Sequence, residues 1–469
     1  MSLRGLLAAE AYKNGRAVRS TLFRHRAIED DPIFLVAWSN GFDPFACTAI
    51  AIGQGHAPPE LFVMRGTRDR DLEAHEFGAA ARRFCELFDA YGAASSLVEH
   101  HGRKLEVPVW LPQIVIPNRA TLGLLGRIGR RLVGIEYPDV ALQGVLRRFA
   151  AHLLWIVRHA DLPGQQIVLP CTEFLNAHWV SAMSALECES LFALEAWIDP
   201  PARMRGFEAA VDAERFSAGP QPKPEDAQSI ARLYGALEAA RKGTSEEDAA
   251  VGEARASIEH FFRDLTSPVW ALLLGIARRE REVAGAAHLP RRIEWDRIAY
   301  GLHQERLDKK LADPRGIRFI DGARGAALRR DELERAGALL EVEEAIDDPL
   351  RMLPRVLAGE AIEGQVHSVH REKGEGTTVE LRTEETCPLP PGLELWWSGA
   401  AFGRGWVIER VEPTGPGSRV ILTHSLCKDP EACPTRGGRA VFSPLFFDDF
   451  LSYGLVLPVR APWTHRPAA

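Results

Sequence analysis

Residues 33–65 have the sequence IFLVAWSNGFDPFACTAIAIGQGHAPPELFVMR. Three runs within it, 33–38, 46–53 and 60–65, are rich in β-branched and aromatic residues, which favour strands. Asn40-Gly41, Asp43-Pro44 and the glycines and prolines of 53–59 separate the runs, and these residues favour turns. The stretch therefore predicts three consecutive strands that form a meander.

The pattern changes after residue 70. Apolar residues at helical spacing predict helices at 71–91, 122–132 and 140–159. Strand-like runs lie at 105–116, where prolines favour a sheet edge, and at 166–170. A long helix is predicted at 172–197. Together with the meander, these elements predict an α/β domain over residues 1–215, with a mixed sheet covered by helices.

The predicted element order, βββαβααβα, resembles that of ribonuclease-H-like folds. The metal-dependent chemistry of that family needs an acidic residue inside the first strand. Here the predicted strands contain no carboxylate before Glu60, which lies at a strand end. The resemblance therefore implies a degenerate ribonuclease-H-like domain without that catalytic centre.

The remainder of the chain divides by composition. Residues 216–226, FSAGPQPKPED, contain three prolines and predict an extended linker. Helical patterns fill 227–358, including predicted helices at 227–242, 245–265, 268–284 and 295–312. Period-two runs fill 359–469 and predict a small β-barrel, because closure removes exposed strand edges. The fold class is thus multidomain α+β: an N-terminal α/β domain, a helical middle region and a C-terminal small β-barrel.

The predicted barrel, about the last quarter of the chain, is similar to accessory barrels of translation factors and nucleic-acid helicases. No specific residue carries this comparison. The resemblance implies contact with nucleic acid.

Composition excludes several functional classes. The 469 residues carry 57 Lys and Arg against 64 Asp and Glu, a net charge of −7 that argues against a chain-wide surface for polyanions. Seven cysteines, mostly within apolar segments, favour reduced thiols and a cytoplasmic location. No apolar run approaches the roughly 20 residues that span a bilayer, so no membrane partner is expected. The sequence contains neither a P-loop nor a Gly-x-Ser-x-Gly motif.

Cys171 is the candidate nucleophile. It lies at a predicted strand-to-helix junction, where a helix N-terminus would lower the pKa of the thiol. His178 is a candidate base, and the pair would form the centre of a Cys/His hydrolase. The alternative interpretation is a buried, unreactive thiol.

A second cluster predicts a structural zinc site. Thiolate and imidazole groups suit tetrahedral zinc, and the candidate ligands are Cys387, His424, Cys427 and Cys433. The five residues between Cys427 and Cys433 exceed the usual tight spacing, so unliganded turn residues are the alternative. No other cofactor is expected.

Residues 278–335 carry a local positive charge, with fifteen Lys and Arg against eleven Asp and Glu. The excess predicts a phosphate-binding surface. Its candidate residues form three adjacent pairs: Arg291 and Arg292, Lys309 and Lys310, and Arg329 and Arg330. The alternative is that nearby acidic residues form ion pairs with them on solvated helices.

Aromatic residues are concentrated in the predicted barrel, at Trp396, Trp397 and Trp406, with Arg404 between them. Because neighbouring strand residues face opposite sides, Trp396 and Trp397 cannot both fill the barrel interior. An outward tryptophan near an arginine suits base stacking or a protein interface. Packing against the helical region is the alternative.

These features predict a non-catalytic binding or adaptor subunit of a larger assembly. Its expected partners are proteins, with DNA or RNA as a further candidate. A hydrolase centred on Cys171 and a zinc-stabilised structural protein are the alternative functions.

Overall fold

A computed structural model describes residues 2–43, 46–65, 69–241, 247–312, 322–372, 376–400, 405–425 and 433–446. The predicted fold class is confirmed: an N-terminal α/β region is followed by a helical middle region and a C-terminal closed β-barrel. Arg404 and Cys427, two of the candidate site residues, lie outside the described residues.

The elements below are numbered in chain order. The strands are β1 (Val18–Arg19), β2 (Ile33–Ser39), β3 (Cys47–Gln54), β4 (Glu60–Val63), β5 (Ser95–His100), β6 (Arg103–Pro108), β7 (Ile114–Ile116), β8 (Val168–Pro170), β9 (Trp179–Val180), β10 (Ile362–Glu372), β11 (Gly376–Thr383), β12 (Glu394–Trp397), β13 (Trp406–Thr414), β14 (Gly417–His424) and β15 (Arg439–Ser443). The helices are α1 (Leu3–Asn14), α2 (Arg70–Ala90), α3 (Arg119–Leu132), α4 (Val140–His159), α5 (Cys171–His178), α6 (Leu191–Ile198), α7 (Gly206–Ala213), α8 (Pro224–Ala240), α9 (Glu247–Arg281), α10 (Leu289–Ala312), α11 (Ala323–Asp347) and α12 (Pro349–Leu357).

The predicted meander forms one half of a five-stranded sheet with the order β4-β3-β2-β7-β8. Strand β3 pairs antiparallel with both β2 and β4. Strand β7 runs parallel to both β2 and β8. All residues of β2 are buried, which explains its continuous apolar sequence: helices cover both faces of the sheet.

Alternating residues of β2 enter two separate cores. Leu35 faces α2, α3 and α4, and packs in one cluster with Phe84 and Phe149. Trp38 faces the opposite side, in a cluster with residues of α5, α6, α8 and α9. Helix α8 begins at Pro224, inside the predicted linker, because proline is tolerated in the first turn of a helix. Helices α8 and α9 therefore complete the second core of the N-terminal sheet.

By length and composition, α4 is the one helix among the described residues that could cross a membrane. Its residues Leu146, Phe149 and Leu153 are buried in the first core. The helix thus packs against the sheet along its apolar face.

Three predicted elements differ from the structure. The single strand at 105–116 is instead β6, paired with β5 in a separate hairpin, and β7 in the main sheet. The long helix at 172–197 is broken, because β9 pairs with β1 and Ser190 caps the start of a new helix, α6. The two helices predicted on either side of Pro268 form one helix, α9, whose Val269 and Trp270 are anchored in the second core.

The barrel closes in the order β10-β11-β14-β13-β12-β15, with β15 pairing back onto β10. Alternating side chains fill its interior, among them Leu381, Trp406, Leu422 and Phe442. A small apolar cluster, formed by Ala345, Met352, Val356, Ala361, Val441 and Leu445, joins the barrel to α11 and α12.

Candidate functional site

The carboxyl ends of the parallel strands β2, β7 and β8 meet at one edge of the main sheet, hereafter the carboxyl edge. Ligands of open α/β sheets commonly bind at such an edge, where neighbouring strands diverge. Ser39 ends β2, Asn118 follows β7 and Cys171 follows β8. None of these three positions carries a carboxylate, and Glu173, in the first turn of α5, pairs with Arg119 at the start of α3.

Residues 217–221 cover the carboxyl edge. The backbone N–H of Ser39 donates to the carbonyl oxygen of Pro220 at 2.7 Å, and the Asn118 amide donates to the carbonyl oxygen of Gly219 at 2.6 Å. Gly219 has a φ of +78°, and a Cβ added there would lie 2.8 Å from the carbonyl oxygen of Ala37. This part of the predicted linker thus lies directly against the end of β2.

Cys171 begins α5 as expected, but its thiol is fully buried. Burial raises the pKa of this thiol well above its ordinary value, which opposes formation of a thiolate. The environment of Cys171 is therefore that of a structural buried cysteine rather than of an activated nucleophile.

His178 is also buried, and its ring is held by two backbone groups. Its Nε2 accepts the backbone N–H of His25 at 3.0 Å, so Nδ1 carries the proton and donates to the carbonyl oxygen of Phe174 at 2.8 Å. Burial lowers the pKa of His178 to about 3, and the ring is neutral at ordinary pH. Both ring nitrogens form hydrogen bonds with the backbone, so neither is available to take a proton from Cys171.

His178 lies beside a group of histidines and carboxylates, formed by His25, His288, Asp347 and Asp348, that no sequence pattern indicated. The rings of His25 and His288 stack with centroids 5.3 Å apart. Asp348 accepts from His25 Nε2 at 3.2 Å, and Asp347 accepts from His288 Nδ1 at 2.8 Å. These contacts join the N-terminal segment to the start of α10 and the end of α11, so the cluster holds distant parts of the chain together.

The zinc candidates do not share a metal-binding geometry in the described part of the chain. Cys433 is disulfide-bonded, so the expectation of reduced thiols is wrong for this residue and it is not available as a thiolate. The Cys387 thiol donates to the carbonyl oxygen of Leu389, and burial raises its pKa. The His424 ring packs edge-on against Trp406. No group of three or more potential ligands occurs among the described residues.

Carboxylates bind most of the predicted phosphate-binding cations. Glu343 is buried and accepts from both Arg291 and Arg292. Arg329 and Arg330 pair with Glu332 and Glu334 respectively. Lys309 is exposed on α10, and Lys310 follows it in the same helix. The region is therefore closer to the ion-paired alternative than to an open phosphate-binding surface.

The three barrel tryptophans occupy different environments. Trp406 is 2% exposed and lies inside the barrel, edge-on to Phe442. Trp397 is half-buried against the barrel core. Trp396 faces away from the interior and stacks on Phe446, with ring centroids 4.1 Å apart. One face of the Trp396 ring is thus covered by Phe446 and is not open for stacking on a base.

A cavity of about 630 Å³ lies between α10 and α11 and is hereafter the α10–α11 cavity. His159 and Asp296 lie in its wall, joined by a 2.8 Å contact between Nε2 and Oδ1. Asp296 also accepts the backbone N–H of Gln166, so its carboxylate is held from two sides. Arg291, Arg292 and Trp295 line the same cavity.

The face of α4 that ends at this cavity carries His152, Trp155 and His159, which makes it unusually polar for a buried helix. His152 contacts His303 of α10 at 3.0 Å, and Trp155 lies between His159 and His303, stacked on both. Burial lowers the pKa of His152, although Asp89 lies beside it. The spacing of positions 152, 155 and 159 places them on one helical face, a signal that could have indicated this contact.

Comparison with known proteins gives no functional information. No protein-family model, no curated protein and no solved structure matches the chain at a significant level.

Proposed function

We propose that the protein is a non-catalytic adaptor subunit of a larger cytoplasmic assembly, and that it acts by binding another protein. The carboxyl edge of its main sheet carries this proposal. Ser39, Asn118 and Cys171 stand where a metal-dependent enzyme needs carboxylates, and residues 217–221 cover that edge.

The strand order supports the same interpretation. Three antiparallel strands followed by two parallel ones agree with the ribonuclease-H-like resemblance of the sequence. A sheet that keeps this arrangement while residues 217–221 cover its carboxyl edge fits a scaffold that has been retained for binding.

The β5–β6 hairpin offers a surface for a protein partner. Leu97 is 65% exposed and Trp110, just beyond β6, is 63% exposed. The hairpin packs on α10 through Arg103 and Arg297, and the side chains of Leu97 and Trp110 stay exposed. Large exposed apolar side chains are typical of interaction surfaces, and tryptophan is prominent among residues that dominate binding energy. The ion pairs of Arg291, Arg292, Arg329 and Arg330 make a protein a better-supported partner than a nucleic acid.

The proposal is tested by recovering the tagged full-length protein from its native cell. We expect a partner protein in stoichiometric amount, with the amount reduced at least about tenfold in a Leu97→Ser, Trp110→Ala variant. Leu186→Ser is the matched control, because Leu186 is an exposed leucine on another part of the chain. Equal recovery by the hairpin variant and the control would overturn the hairpin surface.

Two further measurements separate the alternative functions. Binding of DNA or RNA that weakens steeply with salt, and weakens further in Arg291→Glu, Lys309→Glu or Arg329→Glu, would replace the protein partner by a nucleic acid. Hydrolytic activity that is lost in Cys171→Ser with the fold intact would replace the adaptor by an enzyme.

A further inference from the structure

We propose that the α10–α11 cavity binds a small amphipathic anion, a molecule with an apolar or aromatic body and one carboxylate or sulfonate group. This site goes beyond the protein-binding function proposed above, although His100 and His101, at the turn of the same β5–β6 hairpin, also line the cavity. Its volume of about 630 Å³ lies within the range of about 300–1,000 Å³ that is usual for small-molecule sites.

The wall of the cavity is mostly apolar, which predicts that the body of the ligand is apolar as well. Aliphatic side chains come from three separate elements: the loop after α4, α10 and α11. They are Leu162, Ile298, Ala299, Leu302, Ala336 and Leu339. Such a wall gains free energy by removing apolar ligand surface from water, and offers few hydrogen bonds to a fully polar ligand.

The anionic group follows from the charges in the wall. The cavity is lined by the cations Arg291, Arg292 and Arg335, against the carboxylates Asp296 and Glu332. Asp296 is engaged by His159 and Gln166, and Glu332 pairs with Arg329. The arginines are paired as well, Arg291 and Arg292 with Glu343 and Arg335 with Asp331, so the anionic group of the ligand would join an existing ion pair rather than meet a free cation.

Arg291 is the cation best placed to meet the ligand. Its side chain is 43% exposed, whereas Arg292 is buried, and both share the single carboxylate of Glu343. Both guanidinium groups also lie near the Trp295 ring, at 5.3 and 5.2 Å from its centroid. A ligand anion would therefore meet an arginine whose position is already fixed, which reduces the entropy lost on binding.

Helix α11 forms one wall of the cavity. Its buried residues are Val342, Glu343 and Ala345, all near its C-terminal end. Ala336 and Leu339, which line the cavity, are only partly buried, so apolar surface on this wall is available to a ligand.

The test uses a pair of fluorescent probes that share one aromatic body. Anilinonaphthalene sulfonate carries an anionic group, and N-phenyl-naphthylamine lacks it. We expect the full-length protein to bind one equivalent of the sulfonate. Ala336→Phe and Ala299→Phe, which fill the cavity, should each weaken binding at least about tenfold. Ala8→Phe, in a different cavity, is the matched control and should leave binding unchanged.

Arg291→Gln tests the anionic group. We expect it to weaken sulfonate binding about three- to tenfold, the worth of one charge-assisted contact, and to leave binding of the neutral probe unchanged. Each variant is checked for an unchanged circular dichroism spectrum. Sulfonate binding that survives both cavity-filling variants, or an equal effect of Arg291→Gln on the two probes, would overturn the proposal.

Discussion

Ser39, the last residue of β2, donates its backbone N–H to the carbonyl oxygen of Pro220 at 2.7 Å. The bond extends the hydrogen bonding of β2 into a segment that is 181 residues away in sequence. In an open α/β sheet the end of a central strand usually faces a ligand. Here it faces the chain itself, so the sheet contributes stability where an enzyme would place its chemistry.

The close packing of this segment predicts a strong effect of Gly219→Ala. The residue has a φ of +78°, and the added Cβ would lie 2.8 Å from the Ala37 carbonyl oxygen. We expect a loss of about 2–3 kcal/mol in the free energy of unfolding, measured by urea denaturation. Gly102→Ala is the control, because Gly102 has a similar φ of +74° with nothing within 4 Å of the added Cβ. It should lose only about 1 kcal/mol; equal losses would contradict the steric argument.

Glu343 pairs with both Arg291 and Arg292, and substitutions in this group should lower the free energy of unfolding by different amounts. Glu343→Gln leaves the buried guanidinium of Arg292 without its ion pair, and should cost about 3 kcal/mol in unfolding free energy. Arg291→Gln should cost less than about 1 kcal/mol, because Arg291 is partly exposed and Glu343 keeps its bond to Arg292. Thermal and urea unfolding of both variants would measure the difference, and similar losses would show that Arg292 does not depend on Glu343.

His178 predicts a loss of stability in mild acid. Its pKa is lowered to about 3 in the folded protein against 6.5 for an ordinary histidine, so between these values only the unfolded chain binds the proton. Stability is therefore full above about pH 6.5 and falls by about 1.4 kcal/mol per pH unit as the pH decreases. In His178→Gln, unfolding should bind about one proton fewer between pH 4.5 and 6.5. The free energy of unfolding should therefore depend less steeply on pH than in the unmodified protein, as measured by urea denaturation at each pH. An unchanged slope would mean that His178 is protonated in the folded protein.

Burial of Cys171 predicts that its thiol resists alkylation. Native protein treated briefly with iodoacetamide should show modification at Cys188, which is only partly buried, before any at Cys171. Mass spectrometry of the digested protein would compare the two sites. Modification of Cys171 ahead of Cys188 would restore the hydrolase alternative.

The barrel tryptophans should differ in their effect on stability. Trp406→Ala removes a ring from the barrel interior and should cost about 3–5 kcal/mol. Trp396→Ala removes a ring that stacks on Phe446 outside the interior, and should cost about 1 kcal/mol. Hydrogen exchange of the barrel strands would follow both variants. A larger loss of protection with Trp396→Ala would mean that its outer packing supports the barrel.

The local patterns predicted most of the fold. The strands near residues 33–65 and all six barrel strands follow from period and turn residues, because these signals depend on near neighbours. The predicted helix at 172–197 failed because its middle pairs with β1, a partner more than 150 residues away. Pro268 was taken as a break, but packing of Val269 and Trp270 keeps α9 continuous.

The candidate sites were harder to predict for the same reason. The absence of carboxylates in the first strand was visible in the sequence, whereas its cover by residues 217–221 depends on a distant contact. Likewise, His159 and Asp296 are 137 positions apart, and only the packing of α4 on α10 brings them together. The adjacent Arg pairs suggested an open cationic surface, because the sequence does not show that Glu343 lies between Arg291 and Arg292.

The barrel begins and ends on neighbouring strands. Ile362, at the start of β10, pairs with Phe442 in β15, so the points where the chain enters and leaves are side by side. A unit whose two ends lie side by side can be inserted into a chain or removed from it with little disturbance, because the host chain needs to bridge only a short gap. Replacing the barrel by another six-stranded barrel should thus leave the main sheet and its helices in place.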